Sequence, residues 1–182
     1  MKPLFARRVH GVVATTLLCL WAAAMLAACG QTAQAPAKPV EITRETYCSL
    51  DGMALADYPG PKAQIHYEQG KPDFFCDTVE MFSIYLRPEQ QRRVRAIFVQ
   101  DMAGTDWNNP RGHWIDAKTA FYVMGSRMRG SMGPTLASFS REQDAKSFAG
   151  KYGGKVLRFG EVKLDMVTLD GGVIRDEINS GG

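Results

Sequence analysis

Beyond its first 28 residues the chain lacks most of what marks an enzyme, a nucleic-acid binder or an integral membrane protein. There is no Gly-x-Ser-x-Gly elbow, no phosphate-cradling glycine loop, no His-Glu-x-x-His and no Cys-x-x-Cys pair. That removes the common signatures of nucleophilic hydrolysis, nucleotide handling, zinc proteolysis and dithiol exchange, although carboxylate pairs obey no spacing rule and stay open. After residue 28 no apolar run approaches the roughly 20 residues that a bilayer-spanning helix needs. Charge of one sign is missing too. The 22 Lys and Arg exceed the 19 Asp and Glu, but Lys2, Arg7 and Arg8 lie in an N-terminal segment with no acid, which leaves 19 of each. The one dense basic run, Arg92-Arg93-Val94-Arg95, reads as a solvated face, and nothing calls for nucleic acid or an anionic surface.

What is present begins at the N-terminus. The three cations precede an apolar stretch over 12–26 that includes Leu17, Leu18, Leu20 and Trp21, the pattern of an export signal rather than of a structural element. It ends in Leu26-Ala27-Ala28-Cys29-Gly30, which resembles the bacterial lipobox. Residues 1–28 are therefore expected to be removed, leaving Cys29 as a lipid-bearing N-terminus. One acyl chain anchors only marginally and several anchor stably, so a lipoprotein with two or three chains stays tethered. By the same resemblance to lipoproteins, Gly30 rather than Asp after the lipobox looks like an outer-membrane destination, with the domain facing the periplasm. The stretch 31–39, QTAQAPAKP, is small, polar and proline-bearing and reads as a linker.

Once Cys19 leaves with the signal and Cys29 carries lipid, only Cys48 and Cys76 remain in a compartment that favours disulfides. They are expected either to pair or to leave one thiol for a soft metal. The folded part, from Val40, has about 140 residues, enough for one ordinary domain or two small ones. Strands are expected over 63–67 and 73–76 around a Gly-Lys-Pro turn, then a helix stopped by Pro88 and a strand over 94–99. The rhythm returns with strands at 120–124 and 135–139, a helix over 141–152 capped by Ser140 and stopped by Gly153-Gly154, and a strand at 155–159. Laying Phe75 on Phe139 aligns the two helices, which suggests an internal duplication in an α+β chain. The division drawn is 40–110 and 111–170, with a tail at 171–182.

Two loops carry chemistry. In Tyr47-Cys48-Ser49-Leu50-Asp51-Gly52-Met53 a thiol and a thioether stand five residues apart around a turn-forming glycine, and in Arg129-Gly130-Ser131-Met132-Gly133-Pro134 a methionine has loop formers as neighbours. Thiolate and thioether suit Cu(I) and not Mg, Ca or Mn. A structural zinc site needs about four Cys or His ligands at recognisable spacing, and Cys48, Cys76, His66 and His113 are scattered. Cys48, Met53 and Met132 are the expected metal ligands, with loop residue His113 as an alternate. Met81, Met102, Met124, Met128 and Met166 read as core or surface, and Cys76, between Phe75 and a helix start, as a buried packing residue.

These residues resemble the NosL family, accessory lipoproteins of nitrous-oxide reductase that act as periplasmic copper chaperones. The likeness runs from Tyr47 to Met166 and rests on Cys48 to Met53, Tyr58-Pro59-Gly60-Pro61-Lys62-Ala63-Gln64-Ile65, Phe75-Cys76-Asp77-Thr78, Trp114-Ile115-Asp116-Ala117 and Gly130 to Phe139. It implies a fold of two consecutive ββαβ units, copper held by Cys48 and Met132 with Met53 in the family's Cys-x-x-Cys-Gly-Met position, no catalysis, and delivery for the copper-sulfide centre of the reductase through its membrane transporter complex or to the apo-reductase. Asp51 stands where many relatives carry a second cysteine, which argues for one thiolate with thioethers. Two other readings are a thiol redox lipoprotein using Cys48 and Cys76, and an envelope protein that binds only other proteins.

Overall fold

The computed structural model describes residues 35–90 and 92–167. The signal segment, Cys29, the first part of the linker and the tail expected at 171–182 lie outside the described residues. Residues 35–39 have no regular structure and are mostly exposed, as a proline-bearing polar segment should be.

Strand β1 (Ala63–Tyr67) pairs antiparallel with β2 (Asp73–Phe75) on one side and with β3 (Val94–Gln100) on the other, Ala63 standing opposite both Phe75 and Val99. Helix α1 (Thr78–Tyr85) follows β2 directly. Its start is set by Asp77, whose carboxylate accepts from the Val79 amide at 2.9 Å, an N-cap that satisfies one of the orphan donors of the first turn. The helix ends ahead of Pro88, as expected. A short strand β4 (Trp114–Asp116) pairs with β3 and completes a sheet of order β2-β1-β3-β4. It lies in the stretch 111–170 yet belongs to the first sheet.

The second sheet repeats the plan. Central β5 (Phe121–Met124) lies between β8 (Ala137–Phe139) and β9 (Lys155–Arg158), and α2 (Glu142–Tyr152) joins β8 to β9. Phe75 and Phe139 close the second strand of each unit, and Thr78 and Glu142 open each helix, so the alignment proposed from sequence keeps its register here. The fold is α+β, with a ββαβ pattern running twice. The units differ where the first two strands connect. A tight turn over 68–72 in the first unit corresponds in the second to a longer segment containing a small hairpin, β6 (Arg129–Gly130) and β7 (Gly133–Pro134), with Met132 in its turn.

Around the second helix three details differ from expectation. The helix expected from residue 141 starts at Glu142, with Arg141 at the N-cap position and no side-chain cap. Ser140 instead donates its hydroxyl to Asp101. The strand expected over 135–139 is three residues long, Ala137–Phe139, and Thr135 ahead of it donates its hydroxyl to Asp77 at 2.8 Å.

The main core is continuous between the units. Ile65, Phe75, Val79, Phe82, Ile97 and Val99 pack with Tyr122, Leu136, Leu157 and Val162, and burial of this surface is the main favourable term in folding. Helix α1 is buried from Thr78 to Ser83, while α2 shows solvent most of its length and buries only Ala145. Among the described residues no helix is long and apolar enough to cross a membrane.

Candidate metal centre

A separate, smaller cluster holds Ile42, Cys48, Leu55 and Cys76, all buried, with Met53, Phe74, Trp114 and Met132 packed half-buried against them. Four sulfur-bearing residues from three separate segments therefore meet at one place.

The first segment is a closed loop. Tyr47 bridges to Ala54, the Cys48 amide donates to the Met53 carbonyl at 2.8 Å, and the Gly52 amide returns to the Cys48 carbonyl at 2.9 Å. Gly52 adopts φ +78°, a conformation that costs an L side chain about 1 kcal/mol or more. This closure puts Cys48 and Met53 opposite one another, which is why their spacing of five residues works. Asp51 is exposed and accepts from the Met53 amide at 2.9 Å. The loop is fastened to β2: the Ser49 amide donates to the Phe74 carbonyl at 2.7 Å, and the Phe74 amide donates to the Ser49 hydroxyl at 3.0 Å.

The second segment is the junction of β2 and α1. Cys76 stands between the strand end and the Asp77 cap, and its carbonyl accepts from the Lys62 ammonium at 3.0 Å and the Ser131 hydroxyl at 2.7 Å. Glu80 lies one helical turn further on. Its Oε2 accepts from both thiols, Cys76 Sγ at 3.1 Å and Cys48 Sγ at 3.4 Å, while its Oε1 is buried with no partner. Both cysteines are free thiols. Ligand atoms of Cys48, Asp51, Cys76 and Glu80 lie within 4.8 Å of one another.

The third segment is the β6–β7 hairpin. Ser131 ties it to the Cys76 carbonyl, and Thr135 ties it to Asp77, so Met132 is held over the junction by the second unit. The approach is close. A Cβ on Gly130 would lie 2.0 Å from Asp77 Oδ2, and one on Gly60 would lie 2.7 Å from the Gly130 Cα.

Electrostatics separate the two thiols. The hydrogen bond from Cys76 holds the Cys48 thiol low, at about 6, against the opposing effect of burial. The same bond pushes Cys76 up, with burial adding to it, so Cys48 ionises first. Burial raises the Glu80 carboxyl to about 8 and that of Asp77 to about 7, and lowers the Lys62 ammonium to about 8. Deprotonated sulfur is what binds metal, and of the two thiols Cys48 is the one that loses its proton more readily.

All three expected ligands, Cys48, Met53 and Met132, thus lie in one cluster. His113 is exposed, with φ +52°, and stands outside the group of Cys48, Asp51, Cys76 and Glu80. Cys76 is buried as expected, but its thiol is a member of the cluster and not packing alone. Glu80 was missed by sequence reading. The signal for it was a carboxylate inside the apolar helix TVEMFSIY, since a buried acid calls for a partner.

Soft sulfur donors on an α+β frame, two of them half-open to solvent, define a small domain suited to a soft metal ion. Comparison with known proteins narrows the class. The sequence pattern of the NosL family matches residues 39–167, and the chain belongs to that family. It is 42% identical over 156 residues to the copper-binding lipoprotein NosL of Stutzerimonas stutzeri, covering 84% of this chain and 82% of that one. It is 39% identical over 151 residues to the copper-binding lipoprotein NosL of Achromobacter cycloclastes, covering 80% and 78%. The fold matches the crystal structure of the copper chaperone NosL from Shewanella denitrificans with a TM-score of 0.68 and 38% identity, over 70% of this chain and 97% of that one.

Proposed function

We propose that this chain is a membrane-tethered copper chaperone that carries one Cu(I) on Cys48, Met132 and Met53. The observation that carries the reading is the convergence of these three residues on one buried cluster, in a chain whose relatives are called copper-binding lipoproteins. Thiolate and thioether together prefer Cu(I) to harder ions. The two methionines stand at the half-buried side, so a partner's sulfur or nitrogen can enter there and ligands exchange stepwise. Carriage of this kind requires no catalysis.

Lipidation of Cys29 would hold the domain at the periplasmic side of the envelope, on the inner leaflet of the outer membrane. The copper would serve the copper-sulfide centre of nitrous-oxide reductase, through the membrane transporter complex of that pathway or directly to the apo-reductase, and tethering raises the local concentration near such a partner.

The test is an anaerobic Cu(I) titration of the purified full chain in detergent against a chromophoric chelator, beside Cys48→Ser and Met132→Leu. One tightly bound equivalent that both variants weaken supports the reading. A wild type that yields its copper to a modest chelator ends it. A thiol redox role has one observation in its favour, the closeness of the Cys48 and Cys76 thiols. It predicts reversible disulfide formation and copper binding indifferent to Met132→Leu.

A further inference from the structure

We infer that Cys76 is a second thiolate ligand for Cu(I), taking in space the part that Asp51 leaves unfilled in the 47–53 loop. The inference rests on the chaperone reading and extends its ligand set.

Three observations carry it. The position of Cys76 relative to Cys48 is fixed by backbone bonds. The loop that bears Cys48 is fastened to Phe74, two residues before Cys76, by the Ser49–Phe74 pair of hydrogen bonds at 2.7 and 3.0 Å. Both thiols also point to the same spot, because one oxygen of Glu80 accepts from each of them. Two metal–thiolate bonds of about 2.3 Å span about 4.6 Å, close to the 4.8 Å within which the two sulfurs lie, so one ion needs little adjustment to bridge them.

Asp51 cannot take this place for Cu(I). Its carboxylate is a hard donor, it is exposed, and its Oδ1 is occupied by the Met53 amide. Cys76 is soft, fully buried and unpaired.

Charge agrees with this assignment. Two thiolates and one Cu(I) leave a single negative charge, which is costly in a dry site unless a cation stands near. The Lys62 ammonium is fully buried beside the cluster, donating to the carbonyls of Pro59 and Cys76 at 2.8 and 3.0 Å. On loading, any proton that a ligating sulfur still holds passes to solvent as its bond to copper forms. Copper stays Cu(I) throughout, so no oxidant or reductant enters.

The test uses the full chain in detergent with Cu(I) alone as probe. Cys76→Ser retains a hydroxyl that can donate to Glu80, so the cluster keeps its shape and loses only the thiolate. Its Cu(I) affinity should fall at least 100-fold, and the ultraviolet thiolate-to-copper absorption should fall by about half. Copper-edge X-ray absorption of the wild type, which does not depend on how the variant folds, should count two short copper–sulfur bonds with the thioether beyond them. Wild-type affinity in a folded Cys76→Ser together with a single thiolate bond in the wild type would overturn the assignment while Cys48→Ser still abolished binding. If the wild type itself binds copper weakly, the chaperone reading fails instead.

Discussion

Replacing Gly130 by alanine tests how the second unit holds Met132 over the first. Gly130 lies in β6, buried, and its backbone needs no left-handed conformation. Any effect of the substitution is therefore steric. The new methyl would meet Asp77 Oδ2 at 2.0 Å and the Thr135 Cβ at 2.9 Å, both far inside van der Waals contact. Asp77 is poorly placed to retreat, since its other oxygen caps α1 through the Val79 amide and accepts from Thr135. Swinging it aside loses a cap worth about 1 kcal/mol. The hairpin is the softer element, joined by the two pairs Arg129–Pro134 and Gly130–Gly133, and its displacement loses the Ser131 bond to the Cys76 carbonyl, about 1 kcal/mol. Overpacking of this kind costs roughly 1–3 kcal/mol, so the expected loss is about 2–4 kcal/mol by urea unfolding. Because the hairpin moves, Met132 leaves the thiols and Cu(I) affinity should fall at least tenfold, about 1.4 kcal/mol. Gly150→Ala is the control. That exposed glycine of α2 has nothing within 4 Å of its added methyl, and alanine there should stabilise by about 0.5–1 kcal/mol without touching copper. Asp77→Ser should relieve the clash in the Gly130→Ala background, giving a favourable coupling in a double-mutant cycle. Unchanged stability and affinity in Gly130→Ala would refute the close approach of the two units.

Three further outcomes follow from the buried groups. Asp77 and Glu80 keep protons in the folded chain up to about 7 and 8, whereas ordinary carboxyls lose theirs near 3.8 and 4.5. The folded state then binds more protons than the unfolded one, and stability should fall as pH rises from about 4 to about 7, read as the urea midpoint against pH; between about 7 and 8 the Cys48 thiol, held at about 6 in the folded chain, offsets Glu80 with the opposite sign. Thiolate absorbance at 240 nm should report one cysteine titrating near 6, and Cys76→Ala, which removes the hydrogen bond responsible, should move that midpoint up toward the ordinary thiol range. Glu80→Ala removes the shared hydrogen-bond partner of two buried sulfurs and should cost about 1–3 kcal/mol by thermal or urea unfolding. A loss under 0.5 kcal/mol would show that the thiols do not depend on that carboxylate.

The parts of this molecule that were legible in its sequence are those governed by local rules. Strand β1 falls at 63–67, where apolar and polar residues alternate, α1 begins after the Asp77 cap, and Gly153 with φ +79° ends α2. Cys48 and Met53 were readable as a pair because Gly52 closes their loop locally. Less legible were features that depend on distant partners. Ser140 reads as a cap from its position before an acidic first turn, but Asp101, 39 residues earlier in the chain, takes its hydroxyl. Strand β4 has three residues and exists because β3 offers an edge. Cys76 has the neighbours of a packing residue, and only the folding of the 47–53 loop against β2 brings a second thiol to it.

The duplicated plan explains why the chemistry sits where it does. The junctions of β2 with α1 and of β8 with α2 are structural equivalents, and they differ residue by residue. Where the first has Cys76 and a capping Asp77, the second has Ser140 and an uncapped Arg141. The first junction lies under the 47–53 loop, and its helix is buried through the first six residues, so a charge or a thiol placed there must find partners inside the protein. The second helix faces water and imposes no such demand. What the second unit contributes is its longer connection, the hairpin with Met132, which reaches across to the first junction and is fastened there by Ser131 and Thr135. A sulfur site assembled from both units is consequently sensitive to their packing. Substitutions at the contact between hairpin and junction should alter metal affinity even where no ligand is changed, and equivalent substitutions at the outer face of α2 should not.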